Sequence, residues 1–365
     1  MRVIFRVDAS REIGTGHLMR CLTLAHALRE RGGECHFIVR EHPGNLADGV
    51  SSRGFRVWML PAGFASLEVG TPEEPVLPSH ASWLGARWQT DVEQTAAILK
   101  SLQPQWLIVD HYGLDARWES ALRGYYGSLM VIDDLADRRH CCELLLDQTF
   151  GREAGDYSSC VPQRCKVLAG SSYALLRPEF AAMREFSLSR RENAPVKKLL
   201  ISMGGSNQSA VTRRVMAALQ RTALPDDCGI TVVLGAGAGP DCLGAAAAAM
   251  RWAVDVKVDV LNMAGLMAES DIAIGGAGAT SWERCCLGLP SIVIVLAVNQ
   301  RGVAAALREA GAARVVPDQA DIEMRLPAEV EPLLRSAQCR SEMSRAANCV
   351  TDGRGAEAVV RAMAL

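Results

Sequence analysis

The sequence has little net charge and few aromatic residues. Over 365 residues, 39 lysines and arginines oppose 41 aspartates and glutamates, so bulk charge does not draw the chain toward nucleic acid or an anionic membrane. An anionic ligand would need a local device such as a helix N-terminus or a glycine turn. Aromatic residues make up only 5%, whereas 32 glycines and a hydrophobic content of 49% favour α/β layers over a β-sandwich and argue against disorder.

Disulfide motifs, targeting segments and long apolar runs are also missing. The 12 cysteines occur singly or as adjacent pairs, with no C-x-x-C, which indicates reduced and mostly buried thiols. The N-terminus enters a strand pattern at once, without the apolar run of a signal peptide. Charged residues interrupt every stretch that approaches the roughly 18–20 residues of a membrane span. We therefore expect a soluble, cytoplasmic protein.

Short β-rich runs alternate with helix-length segments along the chain. Residues 3–7 and 106–109 in the first half, and 199–203 and 291–295 in the second, are followed by glycine turns or helical patterns, as in parallel sheets. The pattern predicts two Rossmann-like α/β domains whose ligand binds in the cleft between them. Residues 61–90 are predicted to form a surface insertion.

The polar composition of one segment indicates where the domains meet. The predicted organisation is an N-terminal Rossmann-like domain at 1–186, a linker at 187–198, a C-terminal Rossmann-like domain at 199–335 and a C-terminal helical tail at 336–365.

The first candidate motif runs from Asp8 to Arg20, as a strand, a glycine loop and a helix. Gly14 and Gly16 allow a tight turn and a close approach of the backbone to a ligand. His17 falls at the start of the helix, where the dipole favours a neutral imidazole that can act as a base. The alternative is a generic turn whose histidine only packs or caps. The G-x-G-x-x-G fingerprint of dinucleotide binding is absent.

The second motif, Asp110-His111-Tyr112-Gly113, follows the strand at 106–109. Tyr112 offers a hydroxyl that can donate or accept, and Asp110 could orient a nearby histidine. The alternative is a turn in which Asp110 caps the next helix.

Two glycine turns in the second half lead into helices and predict one diphosphate site. The first contains Gly204, Gly205 and Ser206, and the second contains Gly275, Gly276, Ala277, Gly278, Ala279 and Thr280. Glu283 lies where a carboxylate can accept both hydroxyls of a ribose, and Asn299 and Gln300 offer amides to sugar hydroxyls or acetamido groups. A helix cap at the first turn and a solvated Glu283 are the alternatives. No histidine spacing suits a metal, so neither a metal nor a cofactor is predicted.

Together these motifs resemble one family, the UDP-sugar hydrolases of pseudaminic acid biosynthesis, which act on UDP-2,4-diacetamido-2,4,6-trideoxy-β-L-altropyranose. The resemblance rests on F-R-V-D-A-S-x-x-I-G-T-G-H-x-x-R-C at 5–21, D-H-Y-G at 110–113, S-Y-A-L-L-R-P-E-F at 172–180 and M-G-G-S at 203–206, together with Glu283 and Asn299-Gln300. It implies a glycosyltransferase-B arrangement with the active site in the interdomain cleft.

The resemblance also implies the reaction and the roles of residues. The anomeric C–O bond is hydrolysed with inversion and without a metal. His17 would activate or steer water, while Tyr112 and Asn299 hold the sugar and that water. The diphosphate would lie on Gly204, Gly205, Ser206 and residues 276–280, and the ribose on Glu283. Further expected sugar or phosphate contacts are Arg6, Asp8, Tyr173 and Arg177.

Other functions compete with this interpretation. A glycosyltransferase related to the lipid II N-acetylglucosaminyltransferase would share the UDP site, and a non-catalytic UDP-sugar binding module would lack turnover. The stereochemistry of the sugar also stays open, including a 2-epimerising hydrolase of the legionaminic acid route. The expected ligand is a UDP-sugar, without nucleic acid or membrane, on a monomer or weak homo-oligomer.

Overall fold

The chain forms two compact units. The structure, a computed structural model, describes residues 1–63, 77–191, 195–204, 208–235 and 239–363. The first unit comprises Met1–Leu175 together with the segment that starts at Ala356, and the second comprises Leu176–Gly355. Each is built on one parallel sheet with helices between its strands, so the predicted fold class is confirmed. Within the described ranges, no helix is both long and apolar enough to cross a membrane.

The first unit contains a seven-stranded sheet in the order β3-β2-β1-β4-β5-β6-β7, with every neighbouring pair parallel. Its strands are β1 (Arg2–Val7), β2 (Glu34–Arg40), β3 (Arg56–Leu60), β4 (Trp106–Asp110), β5 (Ser128–Ile132), β6 (Leu144–Asp147) and β7 (Lys166–Ala169). Its helices are α1 (Gly16–Glu30), α2 (Ala47–Ser51), α3 (Trp88–Leu102) and α4 (Ala116–Ala121).

Both faces of this sheet are buried, which explains the continuous apolar runs of its strands. In β1, Val3 and Phe5 pack on one face with Leu18 and Leu24 of α1, whereas Ile4 packs on the other. Alternate residues of a strand point to opposite faces, so a strand covered on both sides needs apolar residues throughout.

The second unit contains a six-stranded parallel sheet in the order β10-β9-β8-β11-β12-β13. Its strands are β8 (Lys198–Ser202), β9 (Gly229–Leu234), β10 (Val254–Val258), β11 (Ile272–Gly276), β12 (Ser291–Ile294) and β13 (Arg314–Val316). The helices that follow α4 in the chain are α5 (Pro178–Arg190), α6 (Ser209–Leu219), α7 (Gly244–Ala248), α8 (Met263–Glu269), α9 (Thr280–Cys286), α10 (Arg301–Glu309), α11 (Ile322–Arg335), α12 (Ala337–Asn348) and α13 (Gly355–Met363).

The chain passes between the units at different places from those that composition suggested. Helix α5 belongs to the second unit, where Ser187 donates to the Leu287 carbonyl at 2.7 Å and Phe180 is fully buried. The segment predicted as a linker therefore begins inside the second unit. In the tail, Met343 of α12 joins the core of the second unit, whereas Val359 of α13 joins that of the first.

Candidate active site

The strand order reverses at one place in each sheet. β1 lies between β2 and β4 in the first sheet, and β8 lies between β9 and β11 in the second. At such a point the loops after the two central strands diverge and open a crevice, where ligands of open α/β sheets bind. The motifs at His17 and Asp110 lie at the ends of β1 and β4, and those at Gly204 and Gly276 lie at the ends of β8 and β11. The His17 and Asp110 motifs therefore share the crevice of the first sheet, and the Gly204 and Gly276 motifs share that of the second.

Hydrogen bonds within the loop between β1 and α1 fix its conformation. Ser10 Oγ accepts the Ile13 N–H at 2.9 Å, and the Gly14 N–H donates to the Ser10 carbonyl at 2.9 Å. Gly14 has a φ of +80°, which residues with side chains rarely adopt. Gly16 is exposed and has no atom within 4 Å of the position of a Cβ. The turn places His17 as the second residue of α1.

His17 is oriented by a buried carboxylate at the end of β4. Its Nδ1 lies 2.6 Å from Asp110 Oδ1, and the Arg20 guanidinium donates to both oxygens of the same carboxylate, at 2.7 and 2.8 Å. Arg20 follows His17 by three residues, so both side chains reach Asp110 from one face of α1. Because an ionised carboxylate can only accept, the His17 Nδ1–H donates to it, and among the described residues Nε2 has no hydrogen-bond partner.

Asp110 stays ionised although it is buried. Burial alone would raise the pKa of this carboxyl, but the positive charge of Arg20 and the contact with His17 reverse the effect and hold the pKa well below its usual range. A fixed negative charge therefore lies behind the imidazole. In hydrolases with a catalytic histidine, such a carboxylate sets the tautomer and stabilises the imidazolium.

Tyr112 lies against His17, with ring centroids 4.5 Å apart in an edge-to-face contact. Its hydroxyl donates to Asp134 Oδ2 at 2.8 Å, and Arg20 contacts the same oxygen. Burial and the nearby Asp134 raise the pKa of the Tyr112 phenol well above its usual value, so the group stays protonated. Because its proton is committed to Asp134, Tyr112 can offer a bound molecule only a lone pair.

The structure corrects the expectation that Arg6 and Asp8 contact a ligand, because both side chains are fully buried beneath the loop. Arg6 donates to Asp8 and to Asp91, each at 2.7 Å, and Asp8 also accepts the Arg40 backbone N–H at 2.7 Å. These residues stabilise the end of β1 through buried ion pairs and hydrogen bonds. Tyr173, also expected to contact the ligand, is partly buried and packs against the apolar core of the first unit.

The glycine turn after β8 is described only in part. Gly204 has a φ of +102° and no atom within 4 Å of a Cβ position, so its backbone is open to a ligand. Gly205 and Ser206, predicted to hold the diphosphate, lie outside the described residues.

The glycines of β11 have a packing role that the sequence did not predict. A Cβ on Gly275 would lie 2.5 Å from the Ser202 carbonyl oxygen, and one on Gly276 would lie 3.0 Å from Leu296. Ala277 is buried, and its N–H donates to the Ile294 carbonyl at 3.2 Å. The expectation that these three residues face a diphosphate is therefore corrected, because their backbone is closed in by neighbouring strands.

The next three residues remain available. Gly278 and Thr280 are partly exposed and Ala279 is exposed, and in the described part of the chain their backbone N–H groups donate to no acceptor. They precede or begin α9, where the helix dipole adds positive potential. Of the predicted 276–280 turn, this part retains the properties of an anion site.

Glu283 is partly buried and, within the described ranges, its carboxylate makes no hydrogen bond. Burial raises the pKa of Glu283 to about 7; Arg177 and Arg284 oppose the increase, and Glu179 adds to it. A carboxylate without hydrogen bonds, one to two turns into α9, suits the predicted contact with two hydroxyls. Arg177 lies nearby in the same unit, where it pairs with Glu179 at 3.0 Å.

The two predicted amides differ in availability. Asn299 is exposed on the turn Val298–Gln300 after β12, and its side chain has no hydrogen bond in the described part of the chain. Gln300 Oε1 accepts the Leu296 backbone N–H at 3.0 Å, and within the described ranges its NH₂ group donates to no acceptor. Asn299 and Gln300 belong to the second unit, whereas His17 and Tyr112 belong to the first.

Sequence reasoning did not assign Arg20 and Asp134 to the site. The spacing of three residues between His17 and Arg20 was a usable signal, since it places both on one helix face. Asp134 lies 114 positions from Arg20, so only the fold brings them together. Its neighbour Asp133 pairs with Arg138 at 2.7 Å. Among the residues that the structure describes, no group of three or more His, Cys, Asp or Glu is arranged to hold a metal ion.

The whole chain is similar to solved glycosyltransferase structures. MurG of Acinetobacter baumannii superposes with a TM-score of 0.70 at 16% identity, covering 99% of this chain and 98% of that one. The chain has the glycosyltransferase-B fold. Residues 247–359 also match the glycosyltransferase family 28 C-terminal domain, so the family match falls mainly in the second unit of this fold.

Two relatives are similar to this chain in sequence. The UDP-2,4-diacetamido-2,4,6-trideoxy-β-L-altropyranose hydrolase of Campylobacter jejuni is 26% identical over 223 residues, which are 61% of this chain and 67% of that protein. The spore coat polysaccharide biosynthesis protein SpsG of Bacillus subtilis is 26% identical over 202 residues, which are 52% of this chain and 56% of that protein.

Proposed function

We propose that the protein hydrolyses UDP-2,4-diacetamido-2,4,6-trideoxy-β-L-altropyranose at the anomeric C–O bond, giving UDP and the free sugar with inversion and without a metal. The observation that carries the proposal is His17: Asp110 holds its Nδ1, its ring lies against Tyr112, and within the described residues its Nε2 makes no hydrogen bond. The name of the Campylobacter relative and the family 28 match support the broader statement that the protein is a UDP-sugar-processing enzyme.

The proposed reaction needs one base. His17 Nε2 takes a proton from water as the water oxygen bonds to the anomeric carbon, and the electron pair of the breaking C–O bond leaves with UDP. Asp110 stabilises the imidazolium, which then releases its proton to solvent. UDP is a good leaving group, and the N–H groups of residues 278–280 would stabilise its charge, so the mechanism needs no strong general acid.

The remaining contacts divide the substrate between residues. In this proposal Gly204, Gly205 and Ser206 also contact the diphosphate, Glu283 holds the ribose, and Arg177 adds positive charge. Tyr112, Asn299 and Gln300 hold the sugar and the attacking water. Tyr112 can only accept a hydrogen bond, so it would face a sugar hydroxyl, an amide N–H or the water itself.

A second candidate function is favoured by the family 28 match: transfer of the sugar to an acceptor other than water. The two candidates share a UDP site and differ in what attacks the anomeric carbon. Incubation of the purified protein with the UDP-sugar alone separates them. Release of UDP and free sugar, identified by NMR, supports hydrolysis, whereas release only after an acceptor is added would reject it in favour of transfer.

The proposed ribose contact gives a pH prediction for UDP binding. The pKa of Glu283 is raised to about 7, so the free protein loses its carboxylate as the pH falls from 8 to 6. If binding requires the ionised form, UDP affinity should fall by about tenfold over this interval because of Glu283 alone. Calorimetric titration of UDP at several pH values measures the change.

The matched control is Glu283→Gln, which keeps the shape and removes the titration. The β-phosphate of UDP also titrates near neutral pH, and its effect is common to both proteins. The expected result is a steeper pH dependence in the wild type than in Glu283→Gln. Parallel pH profiles would remove Glu283 from the ribose site.

A further inference from the structure

Residues 77–90 of the predicted surface insertion, which the structure describes together with residues 61–63, are fixed against the candidate active site. The turn Ala81–Leu84 buries Leu84 in the apolar core of the first unit. A Cβ on Gly113 would lie 2.8 Å from the His80 carbonyl oxygen, so the backbone of the insertion packs directly on the loop that carries Tyr112. A Cβ on Gly85 would similarly meet the ring of His42 at 2.5 Å. Contacts on both sides of Trp83 therefore hold this segment in place.

Trp83 lies between the insertion and the proposed base. Its ring is stacked on Tyr112 with centroids 5.8 Å apart and 26° between the planes, and its centroid is 6.4 Å from that of His17. His80 contacts both rings, with its centroid 4.5 Å from that of Trp83 and 5.5 Å from that of Tyr112. His80, Trp83 and Tyr112 thus form one aromatic cluster beside His17.

The position of Trp83 is not explained by burial in the core. The side chain is only partly buried, whereas the adjacent Leu84 is 2% exposed. Within the described residues, the indole N–H has no hydrogen-bond acceptor. A large aromatic residue that packs on Tyr112 at a polar site and keeps exposed surface is typical of a ligand contact.

We propose that Trp83 determines sugar specificity: its indole supplies an apolar surface for the methyl-rich side of a deoxygenated, N-acylated sugar. This inference rests on the proposed function, because it assumes that a UDP-sugar reaches His17. A 6-deoxy, diacetamido hexose carries three methyl groups, and their contact with a rigid ring removes apolar surface from water at little cost in side-chain entropy. A hexose with hydroxyl groups at these positions buries less apolar surface against the Trp83 indole and should bind less tightly.

Binding in a His17→Ala background tests the inference without turnover. There, Trp83→Ala should weaken binding of the diacetamido-trideoxy UDP-sugar by about tenfold, weaken UDP-N-acetylglucosamine less, and change UDP affinity by less than about twofold. Trp83→Phe keeps a flat apolar ring and should recover most of the affinity. Trp58→Ala, which removes an indole that contacts Arg56 and His36 in the same unit, should leave all three affinities unchanged.

The outcomes separate the two proposals. Equal loss of affinity for both UDP-sugars in Trp83→Ala, or no loss, would overturn the specificity role and leave Trp83 as a support for Tyr112. If wild-type protein binds the UDP-sugars with the expected Trp83 dependence but releases no UDP, the hydrolase proposal fails and the specificity inference stands. If wild-type hydrolysis is normal and Trp83→Ala keeps the same ratio of kcat/KM for the two sugars, only the specificity inference fails.

Discussion

Replacement of His17 by alanine is expected to lower kcat for UDP release by about 10²–10⁴-fold, the range that general bases contribute. The side chain is the proposed acceptor of the water proton, and in the described part of the first unit it is the imidazole held by Asp110. UDP affinity should change by less than about twofold, because the proposed UDP contacts lie in the second unit. Steady-state kinetics of UDP release and calorimetric titration of UDP measure the two quantities.

His26→Ala is the matched control. It removes an imidazole from the same helix, where the ring packs on Phe55 rather than on Asp110. Its kcat should stay close to the wild-type value. Undiminished turnover in His17→Ala would exclude His17 as the base, and loss of UDP affinity together with kcat would indicate a binding role instead.

Asp110→Asn tests whether the carboxylate acts through His17. An amide in place of the carboxylate can donate to Nδ1, which moves the imidazole proton to Nε2 and removes the base. The variant should therefore lose about 10²–10⁴-fold in kcat on its own, yet lose almost nothing further when combined with His17→Ala. Additive losses in the double variant would show that Asp110 acts independently of His17.

The fold was predictable because local pattern and topology agree. The runs at 3–7 and 199–203 are apolar at every position or nearly so, a pattern that strands covered on both faces require. They match β1 (Arg2–Val7) and β8 (Lys198–Ser202) to within one residue at each end. Parallel strands need crossover helices, so alternation alone implies doubly wound sheets. The strands β6, β7, β10 and β13 were not predicted. Of these, β7, β10 and β13 lie at the edges of their sheets and contain charged residues, so their apolar runs are short.

The candidate site was predictable for the residues whose position is set by the ends of strands. His17 and Asp110 are placed by the ends of adjacent parallel strands, so their pairing follows from strand order. Arg6 and Asp8 share that strand end, but burial makes them structural, and sequence spacing does not report burial. The same limit applies to Gly275 and Gly276, because a glycine required by a packed neighbour looks like one that approaches a phosphate.

Asp91→Asn is expected to destabilise the first unit by about 3–5 kcal/mol, the cost of removing one partner from a buried ion pair. Asp91 of α3 is fully buried and accepts from Arg6 and Arg40 at 2.7 Å and from Trp118 Nε1 at 2.9 Å. The amide would leave two buried guanidinium groups facing one remaining carboxylate, Asp8. Differential scanning calorimetry, with the transitions of the two units resolved, measures the change.

Glu357→Gln is the matched control for this prediction. It removes a carboxylate from the exposed pair with Arg361 in the first unit, where the side chains are 59% and 57% exposed, so its effect should be below about 1 kcal/mol. A loss for Asp91→Asn as small as this would show that the buried network contributes no more than a surface pair.

The stabilisation of the first unit by Asp91 should depend on pH in a defined direction. Burial would raise the pKa of Asp91, but Arg6 and Arg40 lower it below the usual 3.8. The stabilisation by the carboxylate is therefore complete above the unfolded-state pKa and is lost as the pH falls through the lower folded-state value. The stability gap between wild type and Asp91→Asn should be constant near neutral pH and close only in acid. A gap that narrows between pH 8 and 6 instead would contradict the assignment of this stabilisation to the Asp91 carboxylate.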